Sequence, residues 1–129
     1  MSDIRVLNTN NAPAAIGPYV QGKIAGGFLF ASGQIPLDPK TGEIVGSTIK
    51  EQAEQVMKNV TALIVEAGAT MNDIVKTTCF LKDIADFAAF NEVYADFIGE
   101  EAPARSCVGG LSLPKGVLCE VEVVVYLGK

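Results

Sequence analysis

The spacing of apolar residues along the chain predicts two amphipathic helices. The first apolar stripe recurs at steps of three and four, the spacing of one helix face, and comprises Ile49, Ala53, Val56, Val60, Leu63, Ile64 and Ala67. Thr48 and Glu51 have the spacing of a capping box at its start, and Gly68 is a typical helix end. The second stripe precedes Gly99 and comprises Ile84, Phe87, Phe90, Val93, Tyr94, Phe97 and Ile98. We expect the first stripe to pack in the hydrophobic core, and Gly99 to end the second helix.

Shorter apolar and β-branched segments predict six strands. They cover residues 4–7, 20–24, 28–32, 74–81, a segment after Pro103, and 117–127, and Gly26-Gly27 predicts a hairpin between the second and third. The order β-β-β-α-β-α-β-β indicates helices that act as crossovers. It favours an α+β fold in which two helices cover one face of a mixed six-stranded sheet. The other face would then be covered by sister subunits in a cyclic oligomer.

Composition narrows the class of protein. The 129 residues predict one domain over 1–129, and 49% hydrophobic against 19% charged residues argues against disorder. No apolar run reaches the length of a membrane span, and the chain does not begin like a signal peptide. We therefore expect a cytoplasmic protein with no membrane partner.

Charge and residue types exclude several chemistries. A net charge of −5 without a basic cluster argues against nucleic acid as a partner. Three cysteines (Cys79, Cys107 and Cys119) without CxxC spacing indicate reduced thiols. The absence of histidine removes the Ser-His-Asp and Cys-His schemes and histidine-based metal sites, so we expect no metal.

Two charged residues stand in unusual places. Arg105 follows Pro103 in a short strand and should share a face with Cys107; it is either a surface residue or a fork that binds an anion. Glu120 lies in a valine-rich strand, where a carboxylate is unusual unless it is paired or at an edge. Because only a short loop joins the two strands, antiparallel pairing would bring Glu120 near Arg105.

Other polar positions are open to two interpretations. Tyr19 could reach a pocket or cap the edge of the core. Ser32-Gly33 could let a ligand approach the backbone or form a plain turn. Asn91 could project toward a neighbouring loop or face solvent.

Four motifs carry a family resemblance. NAPAAIGPYVQG, SGQIPLDPKTGEI, DIVKTTCFLKDIADFAAFNEVY and PARSCV, followed by LPKG and CEVE, occur in this order over nearly the whole chain. The chain resembles the reactive intermediate deaminases, the Rid or YjgF-like proteins. The resemblance implies a chorismate-mutase-like fold, a homotrimer with sites between subunits, and hydrolysis of enamine or imine acids such as 2-aminoacrylate and 2-iminobutanoate to 2-keto acids and ammonia.

The resemblance also implies residue roles and no cofactor. Arg105 would hold the substrate carboxylate with a contact from the Cys107 backbone, and Glu120 would orient the attacking water. Residues that line or support the pocket would be Tyr19, Ser32, Gly33 and Asn91. The short segment 99–102, Leu111 and Cys119 depart from the family pattern. Two other functions are open: a carboxylate-binding regulator without turnover, and a translation inhibitor or ribonuclease.

Overall fold

One mixed sheet and two helices form the body of the protein. The computed structural model describes residues 3–128. Its strands are β1 (Arg5–Leu7), β2 (Gly22–Ala25), β3 (Phe28–Gln34), β4 (Ile74–Leu81), β5 (Ala104–Val108) and β6 (Cys119–Tyr126), and its helices are α1 (Ile49–Glu66) and α2 (Phe87–Phe97). The predicted fold class and element order are confirmed. The domain prediction over 1–129 includes residues 1, 2 and 129, which lie outside the described residues.

The strand order of the sheet is β1-β2-β3-β6-β4-β5. Every neighbouring pair is antiparallel except β4 and β5, which run parallel. The expected pairing of β5 with β6 is therefore wrong, because β4 lies between them. The crossover through α2 returns the chain parallel to β4, and residues 109–118 are long enough to carry it past β4 to the other side.

Helix α1 supplies much of the core. The predicted capping box is present: the Glu51 backbone N–H donates to Thr48 Oγ1, and the Thr48 N–H donates to Glu51 Oε1, both at 3.2 Å. Gly68 follows the helix with φ of +80°, a conformation that favours glycine. The buried residues of the helix are Gln52, Ala53, Val56, Met57, Asn59, Val60, Leu63 and Ile64.

Helix α2 is less buried than its apolar stripe predicts. Only Phe90 and Tyr94 are buried within it. Ile84 begins a separate 3₁₀ turn, Ile84–Asp86, and both Ile84 and Phe87 are exposed. Helical spacing therefore does not mean burial at this end of the stripe, because Ile84 and Phe87 face a cavity that Arg105 of the edge strand β5 also lines.

The sheet face that lies away from the helices carries apolar side chains. Register places Val6, Lys23, Phe30 and Val124 in one row across four strands on this face. Val6 is 57% exposed and Phe30 49% exposed. This is the face that we expect sister subunits to cover. Neither helix among residues 3–128 combines the length and hydrophobicity that a membrane crossing requires.

Candidate functional site

Arg105 is held in a fixed position beside α2. Its register partner on β4 is Thr77, which is fully buried, so Arg105 points to the helix side of the sheet. Arg105 Nη1 donates a hydrogen bond of 2.7 Å to Asn91 Oδ1. The guanidinium carbon lies 4.7 Å from the centroid of the Tyr94 ring and 5.4 Å from that of Phe87. Two rings and one amide therefore fix the cation.

The Arg105 guanidinium has no counter-ion among the described residues. Within residues 3–128 no carboxylate lies at ion-pairing distance from it, although the side chain is half-buried. It lines a cavity of about 530 Å³ together with Ile84, Phe87 and Cys107. A half-buried cation at a cavity wall favours an anionic ligand over the surface role that the sequence left open.

Cys107 lines the same cavity as Arg105, so the predicted shared face is confirmed. Burial raises the pKa of the Cys107 thiol above its usual 9.0, although the Arg105 charge offsets part of the effect. Burial also raises the pKa of Cys79 to about 11 and that of Cys119 to about 12. All three thiols are thus protonated at neutral pH, which makes them poor nucleophiles.

A second group of predicted residues meets at a different place. Tyr19, Ser32, Gly33 and Glu120 line a cavity of about 450 Å³ whose other lining residues are Ile16, Ile35, Pro114 and Glu122. Ser32 Oγ donates 2.6 Å to the Val20 carbonyl. Tyr19 is 48% exposed, and its hydroxyl accepts a 3.3 Å hydrogen bond from the Ile16 N–H. Tyr19 therefore belongs to a pocket rather than to the core.

Gly33 is needed because Glu120 lies against it. Strand β3 bulges between Ala31 and Gln34, where three residue steps oppose the two from Val123 to Val121. A Cβ on Gly33 would overlap the Glu120 carboxylate. The Ser32-Gly33 bulge thus lets backbone and carboxylate meet, which favours the ligand-site interpretation of this pair.

Glu120 is an unpaired carboxylate in a central strand. Strand β6 lies between β3 and β4, and within the described chain no cation is at ion-pairing distance from Glu120. Partial burial, together with the nearby charge of Glu122, raises the pKa of Glu120 above its usual 4.5. Among residues 3–128, therefore, Glu120 is neither ion-paired nor on an edge strand, the two settings in which the sequence made a carboxylate acceptable.

The two groups of residues lie on opposite faces of the sheet. Glu120 is opposite Phe80 in the register, alternating with the buried Val121, and so points away from the helices; Arg105 points toward them. We call Arg105, Asn91, Cys107, Ile84 and Phe87 the arginine half-site, and Tyr19, Ser32, Gly33 and Glu120 the glutamate half-site. The expectation that Glu120 lies near Arg105 in one chain is wrong, since β4 separates their strands.

Sequence reasoning missed part of the arginine half-site. Ile84 and Phe87 line its cavity and the Tyr94 ring contacts Arg105, yet in the sequence all three stand out only as members of an apolar helix stripe. The available signal was spacing: Phe87 and Tyr94 lie four residues before and three after Asn91, on one helix face. No group of three metal-binding side chains occurs within residues 3–128.

Fold and half-sites together define a small α+β protein with an arginine anchor and a separate carboxylate. A protein-family model, Endoribonuclease L-PSP, matches residues 9–127. The chain belongs to this family, and the predicted membership of the Rid or YjgF-like proteins is confirmed.

Individual relatives are similar over almost the whole chain. AldR of Lactococcus lactis, which carries the name of a regulator, is 57% identical over 94% of this chain and 96% of its own. The 2-iminobutanoate/2-iminopropanoate deaminase of Salmonella typhimurium is 50% identical over 93% of this chain and 95% of its own. A crystal structure of a Rid family protein from Yersinia pestis superposes with a TM-score of 0.91 at 46% identity. The match covers 95% of this chain and 98% of that protein.

Proposed function

We propose that this protein hydrolyses 2-imino acids, and the enamines in equilibrium with them, to 2-oxo acids and ammonia. The observation that carries the proposal is Arg105, a fixed cation at a cavity wall that has no counter-ion among residues 3–128. The named deaminase relative supports the same reaction.

Arg105 binds the substrate carboxylate. A guanidinium presents paired donors that match both carboxylate oxygens, which fixes the position of the adjacent imine carbon. The contacts of Arg105 with Asn91 and Tyr94 hold the fork in place before the ligand arrives, so little side-chain entropy is lost on binding. The Cys107 backbone adds a contact to the same carboxylate.

Glu120 positions the attacking water. Its carboxylate accepts a proton as the water oxygen bonds to the imine carbon and passes it to the imine nitrogen, which gives a carbinolamine. It then moves the hydroxyl proton to the amino nitrogen as the carbonyl forms and the carbon–nitrogen bond breaks, so that ammonia leaves. A raised pKa suits this exchange, because a carboxylate with a pKa closer to neutrality accepts and donates more readily. An imine carbon is already electrophilic, so the reaction proceeds by placement of the water and needs no cofactor.

A complete site forms between two subunits of a homotrimer. The half-sites lie on opposite sheet faces, and the face that carries Glu120 also has an uncovered apolar surface. Packing of that face against a neighbouring subunit buries it and sets one chain's glutamate half-site opposite the next chain's arginine half-site. The partners are thus small imino and keto acids and further copies of the chain, without nucleic acid or membrane. Three free thiols suit a cytoplasmic location.

The regulator is the second candidate, and the name of AldR favours it. It would bind a keto acid at Arg105 without turnover. The name of the family model raises a ribonuclease as a third. The chain's net charge of −5 and absence of histidine weigh against it.

The deciding experiment generates 2-iminobutanoate in place with a threonine dehydratase and follows release of 2-oxobutanoate. We expect this protein to accelerate release and Arg105→Ala to abolish the acceleration. Binding of 2-oxobutanoate without acceleration would establish the regulator instead.

A further inference from the structure

Ile84 has an unusual position for an isoleucine. It opens the 3₁₀ turn Ile84–Asp86 and is 54% exposed, at the wall of the cavity that Arg105 lines. Phe87, three residues later, lines the same wall and is 37% exposed. Arg105 is the one charged side chain of that lining, so the rest of the wall is apolar except for the Cys107 thiol.

Gly109 holds Ile84 in this position. The backbone of Gly109 is not in the left-handed conformation that favours glycine. Glycine is needed there because a side chain would not fit against Ile84. A Cβ at Gly109 would lie 2.6 Å from Ile84 Cβ and 2.9 Å from Ile84 Cα, closer than real contacts allow. The backbone that leaves β5 therefore packs directly on the turn, and the position of Ile84 relative to Arg105 is set by this contact.

We propose that Ile84 is the specificity-determining residue of the site and favours ligands with a longer apolar side chain over those with a methyl group or a charged side chain. The inference rests on the proposed function for one element, the carboxylate anchored at Arg105. When Arg105 holds the ligand's carboxylate and the imine carbon faces the glutamate half-site, the ligand's side chain contacts the cavity wall formed by Ile84 and Phe87.

Ile84 and Phe87 have different roles in the cavity wall. The Phe87 ring contacts the Arg105 guanidinium at 5.4 Å and so helps to hold the anchor, whereas no ring or polar interaction ties the Ile84 side chain to Arg105 in the described chain. A change at Ile84 therefore alters the fit of the ligand's side chain without moving the anchor. Burial of each added methylene against such a wall strengthens binding about fourfold.

The test measures binding of 2-oxo acids, the products, to the intact protein by calorimetry. The series is pyruvate, 2-oxobutanoate and 2-oxopentanoate, with 2-oxoglutarate as a charged competitor. In wild type we expect affinity to rise about threefold to fourfold per methylene and 2-oxoglutarate to bind least. In Ile84→Ala we expect the increase in affinity per methylene to fall below about twofold. The affinity for pyruvate should stay within about twofold of the wild-type value.

Two further variants make the result specific. Val65→Ala removes a β-branched side chain of α1 that is 65% exposed and does not line the cavity, and it should leave the whole series unchanged. Gly109→Ala should displace the turn and change the increase per methylene, again with little effect on pyruvate. The inference is wrong if Ile84→Ala keeps the wild-type increase, or if wild type binds all chain lengths equally.

Turnover separates this inference from the proposed function. An increase per methylene that depends on Ile84, in a protein that does not accelerate imine hydrolysis, would refute the deaminase and retain the binding wall. Imine hydrolysis with an Ile84-independent series would refute only the role of Ile84. If no 2-oxo acid binds at any chain length, the inference fails.

Discussion

Arg105 and Glu120 point to opposite faces of one sheet, with β4 between their strands. Each lies half-buried at the wall of its own cavity, and within residues 3–128 neither has an ion-pair partner. A charge withdrawn from water without a partner is costly, so both residues suit a ligand or a neighbouring subunit. This relationship makes the proposed active site a property of the assembly.

Mixed assemblies test the shared site directly. Arg105→Ala and Glu120→Ala should each be inactive alone. Subunits mixed in equal amounts and reassembled should recover about one quarter of wild-type activity, because one neighbouring pair in four combines an intact arginine with an intact glutamate. Activity is measured by 2-oxobutanoate release. A site contained in one chain would give no recovery.

Arg105→Lys should lower kcat/KM between about tenfold and a hundredfold, mainly through KM. The lysine ammonium keeps the positive charge but cannot form the paired hydrogen bonds to both carboxylate oxygens. Hydrogen bonds between charged groups contribute more binding free energy than neutral ones, so their loss is costly. Steady-state kinetics provides the measurement, and an unchanged thermal midpoint shows that the fold is intact. Near-normal turnover would refute the carboxylate fork.

Glu120→Gln should abolish turnover but stabilise the protein at neutral pH. The folded state raises the pKa of Glu120 above 4.5, so it binds the proton more tightly than the unfolded chain. Wild-type stability therefore declines as pH rises from about 4.5 through the raised pKa, and Glu120→Gln escapes this loss. Thermal unfolding of both proteins from about pH 4 to pH 8 gives the comparison.

The two proteins should be equally stable at the acid end, where the Glu120 side chain is neutral in both. If wild type is instead the more stable protein at pH 7, a cation must face Glu120 in the assembly. That result would show that the arginine half-site of the neighbouring subunit, which the proposed trimer sets opposite Glu120, outweighs the effect of burial on its pKa.

Gly33→Ala should reduce turnover nearly as much as loss of Glu120 itself. The added methyl group overlaps the Glu120 carboxylate and must displace it from the bulge of β3. Kinetics of Gly33→Ala, Glu120→Ala and the double variant decides the matter. The double variant should be no worse than Glu120→Ala, whereas additive losses would show that Gly33 acts independently of Glu120.

Two substitutions at Tyr94 should separate anchoring from stability. Tyr94→Leu removes the ring 4.7 Å from the Arg105 guanidinium and should raise KM about 2-fold to 30-fold. Tyr94→Phe keeps the ring but loses the 2.8 Å hydrogen bond with buried Thr77, at a cost of about 1–3 kcal/mol in unfolding free energy. KM and thermal midpoint are measured for both. A KM in Tyr94→Phe as high as in Tyr94→Leu would show that the ring does not hold Arg105.

Local pattern was enough to predict the elements of the fold. Strand β4 has the bounds that its apolar residues indicate, and the capping box of Thr48 and Glu51 starts α1 where predicted. The reason is that spacing of apolar side chains and capping hydrogen bonds depend on residues within a few positions of each other.

Burial of the second helix was less predictable. The spacing that groups Phe90 and Tyr94, which are buried, also groups Ile84 and Phe87, which are exposed. Periodicity identifies one face of a helix, but how far along its length that face is covered depends on the strands beneath it.

Residue identities alone singled out Arg105 and Glu120, because a cation in a short apolar-flanked strand and a carboxylate among valines are each unusual. Their separation was decided by the tertiary structure. The chain order places β5 just before β6, yet the α2 crossover pairs β5 with β4 and sends β6 to the other side. Which strands pair depends on the relative stability of all possible pairings in the sheet, and no local stretch of sequence determines that. Alternation of side chains within each strand then places Arg105 and Glu120 on opposite faces.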